Sequence, residues 1–179
     1  MAGVLSESSL TAALERFAAL VSERTEAEHV FIAGGAAMLL QFGDGRPSTS
    51  DVDVRFKRLE QYSDFVAKVA GELDLGANWL NTKMAGYFSV QEQNQDWVLW
   101  RQIGKVTFYL ASIEYLLAMK LNAGRPGKDG QDLKLLADEI GISSIEQAVA
   151  IYARYYPGEI PSERTAKLFQ TLLGSSSPE

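Results

Sequence analysis

The sequence predicts an α/β (α+β) fold: an α/β half over about residues 25–111, preceded by one helix and followed by a helical C-terminal half. Three observations point there. Val30–Ala33 is a short apolar run that ends at Gly34-Gly35, 51–57 follows a Gly/Pro-rich turn, and 97–103 and 105–111 are joined at Gly104, all of strand length. Apolar residues at three-four spacing mark amphipathic helices on either side of them. A composition of 46% hydrophobic and 22% charged residues over 179 residues is that of a globular chain with one sizeable core.

Taken in order, residues 6–24 place Leu10, Ala13, Leu14, Phe17, Leu20 and Val21 on a single helical stripe. Val30–Ala33 is an apolar run that stops at Gly34-Gly35, and Ala36 to Leu40 reads as a short helix directly behind the glycines. Residues 43–48 form a Gly/Pro-rich turn, and 51–57 a second strand. Residues 59–73 make an amphipathic helix with Phe65, Val66, Val69 and Ala70 on its apolar side. The polar stretch 74–95 is anchored by Trp79-Leu80 and Tyr87-Phe88 and carries only weak structure. Residues 97–103 and 105–111, joined at Gly104, read as a hairpin. Helices follow over 112–123, over 130–139 and from a capping box at Ser143-Ser144-Ile145-Glu146 to about Tyr155, with a last one over 161–173. The expected division is a core with its N-terminal helix over 1–111, a helical part over 112–174 and a disordered tail over 175–179.

Composition removes several function classes. The chain has no cysteine, which excludes a disulfide scaffold, a thiolate zinc site and a cysteine nucleophile. No apolar run approaches the roughly 18 residues of a membrane span, and the N-terminus shows no basic region followed by an apolar core. A cytoplasmic protein without a membrane partner is the expectation. His29 is the only histidine, so neither a Ser-His-Asp arrangement nor a histidine metal cluster can be assembled. Net charge is −6 with a pI near 4.9, so a polynucleotide would have to be held by a local patch. Arg55, Lys57 and Arg58 are the densest candidate, against the plainer reading of a solvated strand end.

The string Thr49-Ser50-Asp51-Val52-Asp53-Val54 carries the most chemistry. On a strand, alternate residues share a face, so Asp51 and Asp53 point the same way about 7 Å apart while Val52 and Val54 enter the core. Two like charges side by side call for a cation, and Mg²⁺ held through one or two carboxylates plus substrate phosphates is the usual one. A solvated strand edge is the alternative. Gly34-Gly35 between strand and helix lets a ligand approach backbone N–H groups closely, or simply makes a tight turn. Lys120 falls on the apolar stripe of its helix, either snorkelling to water or aimed at a triphosphate. Asp129 and Asp132 read as a variant capping box, with Arg125 in reach of either. Tyr152, Tyr155, Tyr156 and Pro157 read as a packing cluster.

Together these residues resemble the nucleotidyltransferase superfamily related to DNA polymerase β, whose pattern is strand, Gly-Gly or Gly-Ser, short helix, then Thr-x-Asp-x-Asp. Within it the chain is similar to AbiEii-type nucleotidyltransferase toxins and their bacterial and archaeal relatives. Lys120-Leu121-Asn122-Ala123, Arg125 and Lys128-Asp129-Gly130-Gln131-Asp132 match their second motif, with a shorter gap before the arginine. The resemblance spans about residues 28–140 and implies a small mixed sheet and transfer of a nucleoside monophosphate from an NTP. Asp51 and Asp53 would hold Mg²⁺ or Mn²⁺ as catalytic and metal residues. Gly34, Gly35, Thr49, Ser50, Lys120, Arg125 and Lys128 would bind the nucleotide. Most active members add a third carboxylate on a neighbouring strand; 105–110 contains none, and Asp96 is the best substitute, ahead of Glu92 and Glu114. The acceptor would be a tRNA, a protein or a small molecule, with tRNA disfavoured by the acidic pI. The implied setting is the toxin of a toxin–antitoxin or phage-defence pair with a cognate antitoxin. The alternative is a catalytically degenerate antitoxin or binding module.

Overall fold

The computed structural model describes residues 4–24, 26–43, 46 and 48–174, with 126 and 127 as backbone only. The tail expected over 175–179 and positions 44, 45 and 47 of the expected turn lie outside the described residues. The chain divides into two units. One runs to Gly86 and adds Trp97–Ala111; the other is formed by Tyr87–Asp96 and the chain from Ser112 onward.

The first unit contains helix α1 (Glu7–Ser22), strand β1 (Glu28–Ala33), helix α2 (Gly34–Phe42), strand β2 (Val52–Arg55), helix α3 (Ser63–Glu72) and strands β3 (Leu80–Asn81), β4 (Trp97–Ile103) and β5 (Val106–Ala111). The strands form one mixed sheet in the order β3-β2-β1-β5-β4. β1 runs antiparallel to β2 and parallel to β5; β2 pairs in parallel with β3, and β4 with β5 as the expected hairpin.

Val30, Ile32, Val52, Val54, Phe108 and Leu110 are buried from three neighbouring strands, as two-residue alternation requires. α1 starts at Ser6, whose hydroxyl accepts from the Ser9 N–H at 3.3 Å, and buries the stripe Leu10, Ala13, Leu14, Phe17, Leu20 and Val21. Phe17 is the hub of this core. Phe56, Tyr62 and Trp79 meet its ring edge-on, each at 6.4 Å, and the Trp79 indole donates to the Val66 carbonyl at 3.0 Å.

Several elements differ from the sequence expectation. The strand expected over 51–57 is confined to Val52–Arg55. The helix expected over 59–73 opens as a 3-10 turn, Leu59–Tyr62, before α3 takes over. Residues 74–95 hold β3 and two further 3-10 turns, Lys83–Tyr87 and Asn94–Asp96.

The second unit is helical: α4 (Ile113–Ala123), α5 (Pro126–Ile140), α6 (Ile145–Tyr155) and α7 (Glu163–Gly174). Ser112 caps α4 by accepting from the Tyr115 N–H at 3.2 Å. α5 begins four residues earlier than expected because Pro126 fills its first turn, where a missing N–H costs nothing. The capping box of α6 pairs Ser144 with Gln147, one residue later than Ser143 and Glu146. Tyr115 stacks on Tyr155 at 4.8 Å and Tyr152 on Tyr156 at 4.9 Å, a packing cluster. Burial, then the hydrogen bond to Asp96, pushes the Tyr155 phenol well above its ordinary range; burial does the same to Tyr156. No helix of the described residues is long and apolar enough to cross a membrane.

Candidate active site

Antiparallel pairing of β1 with β2 builds the first cluster. The register sets Ala33 opposite Asp53, so the residue that follows β1, Gly34, arrives beside the Asp53 carboxylate. Gly34 adopts φ +61°, a conformation that disfavours side chains, and a Cβ placed there would lie 3.1 Å from Asp53 Oδ2. At Gly35 a Cβ would fall 2.7 Å from Thr49 Oγ1 and 3.0 Å from Arg46 Nη2. The first two positions of α2 are therefore bare of side chains and hemmed by Asp53, Thr49 and Arg46. No side chain caps this helix start at Ala33.

Asp51 stands just before β2. Its Oδ1 accepts from the Ser50 hydroxyl at 3.0 Å and its Oδ2 from the Asn81 amide at 3.1 Å. Both donors are neutral, so the carboxylate is oriented without being neutralised. Asn81 is itself held: it is 8% exposed, lies opposite Asp53 in the β2–β3 register, and its Oδ1 accepts from the Lys83 N–H at 2.9 Å. Thr49 is fixed by a two-way backbone bridge with Leu5 at 2.7 and 2.9 Å, and its hydroxyl donates to the Asp51 carbonyl at 3.1 Å. Asp51 and Asp53 are half-buried, whereas Val52 and Val54 are fully buried.

This donor set fits Mg²⁺ or Mn²⁺: hard carboxylate oxygens on one strand face, beside a helix start formed by two glycines. Among the described residues no group of three or more acidic or histidine side chains could hold a metal by itself. By parity β5 presents Thr107, Tyr109 and Ala111 towards the aspartate side of the sheet, and none is acidic. Asp96 lies in the second unit, buried, where it accepts from the Gln93 N–H at 2.7 Å and the Tyr155 hydroxyl at 2.8 Å. Those two bonds account for its carboxylate by packing. Glu92 accepts from the Tyr115 hydroxyl at 2.6 Å and Glu114 from Arg154, also at 2.6 Å.

The second cluster lies wholly in the helical unit. Lys120 is 4% exposed, so the ammonium does not snorkel to water. Its Nζ sits 2.6 Å from Asp129 Oδ1 and 2.6 Å from Asp132 Oδ2. Arg125 Nε adds a 3.1 Å contact to Asp129 Oδ2, while Lys128 is exposed. Asp129 and Asp132 are therefore not a capping box. They sit inside α5, three residues apart on one face, and grip a lysine from α4.

Sequence reasoning missed Asn81 and Arg46. Asn81 follows the apolar anchor Trp79-Leu80, which was the only local sign of a strand there. Of the basic residues after the aspartates, Arg55 lies over the Phe31 ring at 4.5 Å, and Arg58 pairs with Glu26 and Glu28.

A family model described as "Nucleotidyltransferase of unknown function (DUF6036)" matches residues 9–170. No curated protein and no solved structure matches the chain.

Proposed function

The chain belongs to this family of nucleotidyltransferases, and on that premise we propose that Asp51 and Asp53 hold a divalent metal for transfer of a nucleoside monophosphate from an NTP to an acceptor hydroxyl. One observation carries the reading: the Gly34 backbone rests against Asp53 Oδ2, so a phosphate at the α2 N-terminus would lie beside the carboxylate pair. When bound, the metal supplies charge neutralisation at the phosphates.

The chain's own residues do the rest. Gly34 and Gly35 present backbone N–H groups at a helix start, which favours an anion. Ser50 and Asn81 orient Asp51, and buried Val52 and Val54 hold both carboxylates outward. In the transfer, the acceptor oxygen forms a bond to the α-phosphorus, the bond from that phosphorus to the bridging oxygen breaks, pyrophosphate leaves with the electron pair, and the hydroxyl proton passes to solvent. Lys120 and Arg125 we assign to clamping α5 through Asp129 rather than to the triphosphate, because the buried ammonium already serves two carboxylates. A toxin role within a toxin–antitoxin or phage-defence pair is supported by the resemblance to AbiEii-type toxins alone.

A second reading, a nucleotide-binding module without transfer, is favoured by the lack of an acid on the β5 face and by the packing role of Asp96. One experiment separates the two. The protein is incubated in cell extract with Mg²⁺ and each of the four NTPs labelled at the α-phosphate, beside Asp51→Asn/Asp53→Asn. Transfer predicts a labelled species that falls by at least about a hundredfold in the double variant. Mg²⁺-dependent NTP binding with no labelled product for any nucleotide would establish the module instead.

A further inference from the structure

The sheet face that carries Asp53 continues along β2 to Arg55, about 7 Å further on. There it borders a cleft of about 460 Å³ lined by Glu28, His29, Phe31, Arg55, Lys57 and Arg58. The lining carries three cations and one carboxylate in a chain whose net charge is −6, and of the three Arg58 is shared between that carboxylate and Glu26. That carboxylate is already committed. Glu28 is 5% exposed and accepts from the Tyr62 hydroxyl at 2.6 Å, with Arg58 Nη2 at 2.9 Å. Lys57 is exposed and has no carboxylate partner among the described residues.

His29, Phe31 and Arg55 supply flat groups to the lining, and Trp97 and Tyr109 pack against them. The Arg55 guanidinium lies 4.5 Å from the Phe31 ring centre and 5.0 Å from that of Trp97. Tyr109 stacks on Phe31 at 5.1 Å and on His29 at 5.8 Å. A cationic plane among aromatic faces, with the exposed point charge of Lys57 beside it, suits a ring joined to a phosphate.

We propose that this cleft is the acceptor subsite and that it takes a small phosphorylated acceptor of mononucleotide size, a phosphate ester attached to a flat ring. The proposal rests on the transfer reading above for the word acceptor; the cleft's preference for a phosphate ester stands on its own residues. A cationic acceptor would meet like charge at Arg55 and Lys57. A polynucleotide needs an extended basic surface, whereas this cleft offers three cations on a chain of net charge −6.

The test is calorimetric titration without NTP or divalent ion, using adenosine 5′-monophosphate, adenosine and a single-stranded oligoadenylate as probes. The monophosphate is expected to bind wild type and Asp51→Asn/Asp53→Asn equally, and adenosine about tenfold more weakly. Lys57→Gln, at an exposed position, is expected to weaken the monophosphate about tenfold while Lys57→Arg retains it. Arg55→Gln gives an independent second reading of the same loss. Equal binding of adenosine and its monophosphate, indifference to Lys57→Gln, loss in the aspartate variant, or an oligonucleotide binding more than about tenfold tighter would each overturn the proposal. Because the titration uses neither metal nor NTP, its failure is distinct from an absence of label transfer.

Discussion

Replacing Lys120 by methionine tests whether this lysine is a structural pin or a triphosphate ligand. Met keeps most of the stem's apolar length and removes the ammonium, with its charge and its three N–H donors. In the wild type the ammonium makes two 2.6 Å contacts, and all three side chains are at most 5% exposed. Breaking a buried ion pair by removing one partner costs about 3–5 kcal/mol, because the carboxylates keep their desolvation penalty and lose its compensation. Arg125 remains 3.1 Å from Asp129 on a side chain that is 47% exposed, which puts the expectation at the lower end, near 3 kcal/mol. For a chain of this size each kcal/mol moves Tm by about 2–4 °C, so the midpoint should fall by roughly 6–12 °C. Urea denaturation followed by circular dichroism measures the loss. Lys120→Met/Asp129→Asn/Asp132→Asn should recover most of it, since a neutral, hydrogen-bonding cluster replaces a buried charge imbalance. A Lys120→Met variant that loses less than about 1 kcal/mol yet no longer binds NTP would refute this reasoning and place the lysine on the triphosphate.

Two further predictions follow from the geometry. Gly34→Ala and Gly141→Ala both force alanine into positive φ, at +61° and +78°, and each should cost about 1–2 kcal/mol of stability. Only at Gly34 does the added methyl meet Asp53 Oδ2, whereas nothing lies within 4 Å at Gly141, so Mg²⁺-dependent NTP binding should drop in the first variant and persist in the second; equal binding in both would remove the close approach from the site. Tyr62, Tyr152, Tyr155 and Tyr156 all have raised phenol pKa values through burial. The folded state then keeps protons that the unfolded chain releases above pH about 10, so this contribution is fully present below that pH and lost as pH rises through the folded values. Ultraviolet titration should show fewer than seven tyrosines ionising before an unfolding step that releases the rest; seven free phenols titrating ahead of unfolding would contradict it.

What the sequence disclosed and what it hid divide along a physical line. The Val52/Asp53 alternation, the stripe of α1 and the hairpin at Gly104 were legible because each depends on the period of one element or the conformation of one residue. Asn81 was not, since a strand of two residues is too short to show a period and its role is set by the register against Asp53. The fate of Lys120 was hidden for a related reason. A lysine on an apolar stripe has two outcomes, and the choice lies with carboxylates on another helix, whose own i, i+3 spacing fits a helix cap equally well. Asp96, one residue before β4, reads as a substitute ligand in the sequence because its partner Tyr155 lies far along the chain.

Strand β2 ties the candidate site to the core. A slip of one residue in its pairing would turn Asp51 and Asp53 towards the interior and expose Val52 and Val54. The burial of two valines, worth roughly 1.5–3 kcal/mol each, therefore also fixes the direction of the carboxylates. The same register brings Ala33 opposite Asp53 and delivers Gly34 to the carboxylate. Fold stability and site geometry share one set of contacts here. Truncating Val54 in the core should accordingly disturb metal and nucleotide binding even though the valine side chain points away from both.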